Sequence, residues 1–487
     1  MRDRSIGLSI ADFVSIQEVY IHKMVNEHGM ARIQGIIAEG SEKKLFQKAE
    51  KGLASLFIKD EKGNRKNIFS GIVDSLEVEN AGGVKSARIV LTGATKLMDC
   101  ILHTRTFQNE ALPYEKLIGT VNAGNGKVAY LSNCGLKSAI KKLIVQYRET
   151  DWEFIKRLAS HFNQPVLPDY SAEGIRYSFG LCKDSPVKKL DVEWYASGNA
   201  REEYLLKKEN RVPKILPDDF AFYKVKSREY LELGEKTAFM GQKFFVYESV
   251  SRLEGMELVH TYTLRRAGGF KTIYGYNTKI IGASLDGVIL ATKNDTVKVA
   301  VSVDSSQKES EAKWFPYSTV YSSPDGSGWY CMPEKGDKVR LYFPNENEDD
   351  GYIISSINHG NTGDVGGDSG AEASQGGAAK VAAAGSPPRS DPNKKSISNK
   401  EGKQIELSPT TIVMTNNKGM MIVLDDDEGI TILSDKKVVI SAKEDLVVKS
   451  DAGLDIQATE YIKLEQGEAK VTLQDEFRIE GTKYKMQ

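Results

Sequence analysis

A chain of 487 residues is too long for one ordinary domain and suits roughly two to four, each able to bury its own core. Lysine plus arginine (66) nearly cancels aspartate plus glutamate (67), so no global field would hold the chain on phosphates or an anionic bilayer, and nucleic acid is not expected as a partner. Cys100, Cys134, Cys182 and Cys331 lie far apart without a C-x-x-C pair, which argues against a zinc knuckle or redox motif and predicts mostly buried, reduced thiols of a protein made in the cytosol.

The opening "MRDRSIGLSIADFVSIQEVY" lacks the apolar core of a signal peptide, and no later run approaches membrane-spanning length. The expectation is assembly in the cytoplasm, with delivery by another machine. Residues 1–280 mix period-two stretches such as "SARIVLTGATKLMDC" with a few helical segments, an α+β pattern. The clearest helix is "ETDWEFIKRLASHF". Thr150 and Glu153 form a capping box, and Trp152, Ile155, Leu158, Ala159 and Phe162 recur at helical spacing. Together with Phe154, Trp152, Ile155 and Leu158 are expected to pack this region.

Residues 281–358 read as strands only. In "EKGDKVRLYFP", Val339, Leu341 and Phe343 alternate with Lys338, Arg340 and Tyr342, a half-buried strand whose neighbour across the acidic turn "NENEDD" is "GYIISSI". "SPDGSG" upstream supplies turn residues. Residues 359–400, rich in Gly, Ala and Ser, form a linker. Residues 401–487 carry an eight-residue repeat. Apolar residues recur at Ile422, Ile430, Val438, Leu446, Leu454 and Ile462, and again at Leu424, Ile432, Ile440, Val448, Ile456 and Leu464. One strand plus one turn covers a single face, so the expectation is an intertwined triple-stranded β-helix in which three chains share the circuit and bury the twelve side chains at their axis. An antiparallel meander packed on the rest of the protein is the alternative.

A helix motif, approximately Q-Y-x-E-[ST]-D-x-x-F-x-x-R-L, is met by Gln146, Tyr147, Glu149, Thr150, Asp151, Phe154, Arg157 and Leu158, and a barrel motif, approximately P-x-x-G-D-x-V-x-[LV]-x-F before an acidic turn and an apolar strand, by Pro333, Gly336, Asp337, Val339, Leu341, Phe343 and Ile353. In this order, ahead of an octad array, they resemble the VgrG and phage-baseplate hub-spike proteins of contractile injection systems. The resemblance implies a mainly β fold: an α+β hub with β-barrel domains, an OB-fold barrel and a triple-stranded β-helix needle. It also implies a homotrimer that joins hexameric inner-tube and baseplate proteins and pierces the target envelope when a sheath contracts. Which system, whether phage tail, tailocin, type VI or extracellular particle, is left open. Some family spikes end in H-x-H with iron; this sequence has no histidine after His359. The repeat loses phase after Leu464, so a separate PAAR-like tip protein is expected to bind Tyr484 and Met486.

No catalytic, cofactor or metal residues are expected. Glu346, Glu348, Asp349 and Asp350 match no EF-hand and read as a solvated hairpin tip. "DDDEG", 425–429, reads as a charged turn. "AGNGK", 123–127, lacks the P-loop pattern, and Asn125-Gly126 reads as a hairpin turn. The six histidines never take a ligand spacing and read as ordinary surface or core residues. Two other classes stay open, a cell-wall hydrolase carried on a tail spike and a trimeric receptor-binding fibre.

Overall fold

The computed structural model describes residues 5–59, 62–320, 331–354, 393–399, 401–416 and 418–473. The chain forms two compact units, Met1–Asp364 and Val365–Gln487.

The first unit begins with β1 (Ser5–Leu8), β2 (Phe13–Met24), β3 (Met30–Ile37), α1 (Glu42–Ala49), β4 (Leu53–Lys59), β5 (Arg65–Ala81) and β6 (Val84–Gly93). After an α/β insertion of β7 (Leu102–Phe107), α2 (Tyr114–Ala123), β8 (Val128–Ser132), β9 (Ile144–Thr150), α3 (Asp151–Ser160), β10 (Val166–Pro168) and β11 (Ile175–Phe179), strands return. They are β12 (Val187–Lys188), β13 (Trp194–Asn199), then, after α4 (Arg201–Glu209), β14 (Ala221–Ser227), β15 (Lys236–Phe239), β16 (Gln242–Glu254) and β17 (Glu257–Arg265). The early and late strands join in one 12-stranded sheet, ordered β1-β4-β5-β6-β3-β2-β16-β17-β14-β13, with β15 on β16 and β12 on β15. Period-two patterning drives it. In β3, Ala31, Ile33 and Ile37 point into the core while Arg32 and Gln34 face outward.

The insertion has a core of its own around α2 and α3. The expected capping box is present: Glu153 N donates to Thr150 Oγ1 at 3.1 Å, and Thr150 N donates to the Glu153 carboxylate at 3.0 Å. Trp152, Phe154, Ile155 and Leu158 are all buried in that core. Two expectations fail nearby. Asn125-Gly126 is the exit from α2, not a hairpin: Asn125 N donates to Asn122 O, and its side-chain amide caps Val121 O. Cys100, Cys182 and Cys331 are exposed, because each falls in a connection between elements; only Cys134 is half-buried, and burial pushes its thiol up to about 12.

The barrel comprises β18 (Ser284–Lys293), β19 (Thr296–Val301), β20 (Trp314–Pro316), β21 (Lys338–Tyr342) and β22 (Tyr352–Ile354), ordered β20-β19-β18-β21-β22. A bridge between Tyr317 and Ile353 brings the ends together. Val339, Leu341, Phe343 and Ile353 are buried in it, and β21 pairs β22 across the acidic turn. The expected turn "SPDGSG" lies outside the described residues.

The second unit opens with an antiparallel meander of β23 (Lys395–Ser398), β24 (Gln404–Leu407), β25 (Thr411–Thr415), β26 (Met420–Asp425) and β27 (Gly429–Ser434). Ile422, Leu424, Ile430 and Ile432 therefore pair within one chain, Ile422 opposite Ile432 and Leu424 opposite Ile430, where the octad reading expected sides of a three-chain prism. A lone chain has only its own flanks to satisfy backbone groups, and a hairpin does so. The "DDDEG" segment is the expected charged turn. The Asp425 carboxylate accepts from Asp427 N and Glu428 N, which holds its pKa low, and Gly429 takes φ +85°. Residues 435–461 carry no strand. β28 (Ile462–Gln466) and β29 (Ala469–Leu473) then form a hairpin around Gly467-Glu468, pairing Leu464 with Val471. That two-residue turn accounts for the slip in phase.

Trp152→Ala should lower stability by about 3–5 kcal/mol, and Thr150→Ala by about 0.5–2 kcal/mol. Urea denaturation followed by circular dichroism checks both, and equal, negligible effects would contradict the packing described.

Candidate functional site: the joint between insertion and barrel

Alternate side chains of a strand point to opposite faces, and along β9 the two faces serve two cores. Ile144 packs with α3 in the insertion, whereas Leu143 and Val145 pack in the barrel core beside Leu285, Val299 and Leu341. β9 runs directly into α3, so one short segment carries both the motif helix and a wall of the barrel.

Arg157, on the second turn of α3, sits at this junction with its side chain 4 % exposed. Its Nε and Nη2 both reach the Glu149 carboxylate, at 2.8 and 2.7 Å, and Nη2 also donates to Val145 O at 2.7 Å. Nη1 donates to Glu348 Oε1 at 2.7 Å. Burial works against the guanidinium's charge, but the Glu348 and Glu149 carboxylates outweigh it and hold its pKa above the ordinary value.

Glu348 belongs to the acidic turn, and its side chain is 3 % exposed. The reading of this turn as a solvated tip fails for Glu348 and Asp349, while Glu346 and Asp350 are exposed as expected. Glu348 also faces Val145 N, while the Asp349 carboxylate accepts from Leu143 N at 3.1 Å and pairs with Lys313 at 3.0 Å. Lys313 in turn donates to Glu110 at 2.6 Å. A second barrel carboxylate, Asp304, accepts from Thr106 N and Thr106 Oγ1, at 2.9 and 2.5 Å. Gln108 Nε2 donates to Val299 O. The barrel thus grips β7, β9 and α3 chiefly through carboxylates aimed at backbone N–H groups and at one arginine.

The other motif residues support that geometry. Gln146 Nε2 donates to Glu149 O and to Asp151 Oδ1, and Asp151 further takes Arg105 at 3.1 Å and Asn125 at 2.6 Å. Asn277 donates to Tyr147 O. His161, stacked on Tyr274 and bonded through Nδ1 to Tyr114, is kept neutral by burial and by the charges of Lys142 and Arg157. His22, His28 and His103 each sit beside a carboxylate. Among the described residues no three His, Cys, Asp or Glu side chains gather as a metal-holding group. No helix is long and apolar enough to cross a membrane there either.

Sequence patterning placed Trp152, Phe154, Ile155 and Leu158 but missed Arg157, Glu149, Glu348 and Asp304 as joint residues. An arginine on the apolar side of a helix, three places after Phe154, was the available signal.

Comparison with known proteins agrees with this architecture. Residues 51–162 match the family model described as phage tail baseplate hub (GPD), and residues 285–357 match the type VI secretion system/phage-baseplate injector OB domain. No curated protein matches the sequence. Among solved structures, the chain resembles a PdpA–VgrG complex in its lidless form, with TM-score 0.53, 10 % identity, 89 % of this chain and 98 % of that chain covered. It also resembles the E. coli type VI component c3393, described as similar to the T4 tail proteins gp27 and gp5, with TM-score 0.50, 12 % identity, and 72 % and 99 % coverage.

Removing one partner of a buried ion pair strands the other's charge, so Arg157→Met alone should cost about 3–5 kcal/mol. Adding Glu348→Leu should restore part of it. A double-mutant cycle in urea, read from tryptophan fluorescence, tests this; additive losses would mean the pair is not coupled.

Proposed function

We propose that this chain, whose residues 51–162 and 285–357 match models of the phage tail baseplate hub and of the type VI/phage-baseplate injector OB domain, is a baseplate hub-spike protein that works as a homotrimer joining an inner tube and baseplate to a needle. The needle is driven through a target envelope. The two family models support the hub and the barrel; the trimer, the tube contact and the piercing role are proposed with them.

One observation carries the trimer. Cross-strand neighbours in the meander line up as two apolar columns, Ile397-Ile405-Met414-Ile422-Ile432 and Leu407-Ile412-Leu424-Ile430. Directly opposed residues share a face, so all nine lie on one side of the sheet. Every one is exposed, Ile430 to 72 %. The octad pairs beyond, Val438, Ile440, Leu446, Val448, Leu454 and Ile456, are exposed to between 55 and 70 %. A face of this kind asks for a cover, since each side chain gains roughly 1.5–3 kcal/mol from full burial. Three copies facing inward would bury the columns on each other, and the residues from 435 to 461, without strand partners of their own, would pair between chains. Ile462 and Leu464 continue the octad in sequence.

A spike of this design works by stiffness, and the buried joint of Arg157 with Glu149 and Glu348 fixes the barrel on the hub. We further propose that a separate PAAR-like tip protein contacts Tyr484 and Met486, which lie outside the described residues.

Light scattering should give the mass of three chains, and deletion of residues 401–487 should weaken or abolish the association. Ile440→Asp places three carboxylates at one dry axis, where burial raises their pKa. Assembly should fail at neutral pH and recover as pH falls and the groups become neutral. A stable full-length monomer, or a trimer indifferent to both changes, would refute the proposal.

A further inference from the structure

The 12-stranded sheet ends without pairing its two outer strands: among the described residues β1 pairs only with β4, and β13 only with β14. Those ends approach one another. A groove of about 330 Å³ is bordered by Ile6 of β1 and Ile58 of β4 on one side, and by Glu193, Arg228 and Leu258, at the ends of β13, β14 and β17, on the other. A second hollow of about 210 Å³ shares Ile58 and Glu229 with it, so the two adjoin and together make a trough along the seam.

Ile6, Ile58 and Leu258 give the trough an apolar floor segment, and its two ends differ in sign, with Glu229 between them. At one end stand Asp191, Glu193 and Glu257; at the other stand Lys59, Arg65 and Lys66. These charges are held in place. Arg228 bridges Glu193 and Glu257, Arg65 lies 4.4 Å from the centre of the Phe57 ring, and Lys66 lies 4.7 Å from that of Tyr230. β1 itself, Ser-Ile-Gly-Leu, is short but carries neither the charge nor the proline that often keep an edge from pairing. Met256, 88 % exposed, stands at the rim.

We propose that this seam accepts one extended segment of a neighbouring protein, which adds as a strand to β1. Its apolar side chain rests on Ile6, Ile58 and Leu258, a basic residue lies against the acidic end, and an acidic residue lies against the basic end. Backbone hydrogen bonds to the edge supply affinity that is blind to sequence, while the floor and the two charged ends supply selectivity.

The probe is a capped, fluorescein-labelled octapeptide with a Val/Ile centre, arginine at one end and glutamate at the other, titrated into the full-length protein by fluorescence anisotropy. Saturable binding is expected, with matched peptides bearing arginine at both ends or glutamate at both ends about tenfold weaker at low salt. N-methylation of alternate peptide nitrogens should abolish binding. Arg65→Glu with Lys66→Glu, both exposed on the surface, should shift preference to the all-arginine peptide without changing the melting curve. Equal binding of the three peptides, or indifference to N-methylation or to the charge reversal, overturns the proposal. So does a change in the light-scattering mass with the charge reversal, which would assign the trough to a second copy of this chain.

Discussion

A guanidinium out of reach of water must have its charge answered, and the position of Arg157 between two domains makes that requirement architectural. Its fork is planar and rigid, so the two donors that meet Glu149 and the one that meets Glu348 cannot be satisfied by any approximate placement of the barrel. Apolar contact between Val145, Leu143 and the barrel core stabilises the association without dictating its angle, because the hydrophobic effect has no direction. The ion cluster supplies the direction. Gln146 and Asp151, by holding the corner between β9 and α3, keep Glu149 where the guanidinium needs it.

How much of this could be read from the sequence depended on the distance over which each cause acts. The helix cap of Thr150 and Glu153, the apolar face of α3 and the alternation of Val339, Leu341 and Phe343 are local, and all appear as expected. Glu348 is the opposite case. Within its own neighbourhood, "NENEDD" has every mark of a solvated turn, and what buries it is an arginine 191 residues earlier. The exposed thiols failed for a related reason: composition ranks cysteine as a buried residue, but Cys100, Cys182 and Cys331 occur in connections. The octad was legible as a period and as a strand-and-turn unit. Its pairing was not, because a strict repeat serves equally for a hairpin within a chain and for a strand shared among chains, and Ile422 to Ile432 take the first form here.

The meander also shows why the apolar row was so regular. A column of side chains remains on one face only while every turn preserves the two-residue period of its strands. The three-residue turn at Asp426 to Glu428 and the two-residue turn at Gly467 and Glu468 each do so, although they move the sequence numbers of the partners by different amounts. The loss of phase after Leu464 is therefore a change of turn length and not a loss of the apolar face, since Leu464 still stands opposite Val471.

The joint and the meander's apolar face solve their packing by different means, and this bears on the order of assembly. The contacts of Arg157 with Glu149 and Glu348 are complete within one chain, and forming them requires only that a long loop close. The columns of the meander form from neighbouring hairpins, quickly and locally, yet remain open however well the chain folds. In the proposed trimer the first process is independent of protein concentration and the second depends on it. The joint then sets the direction in which each barrel leaves its hub before copies meet, and association at the apolar face acts on subunits whose geometry is already decided.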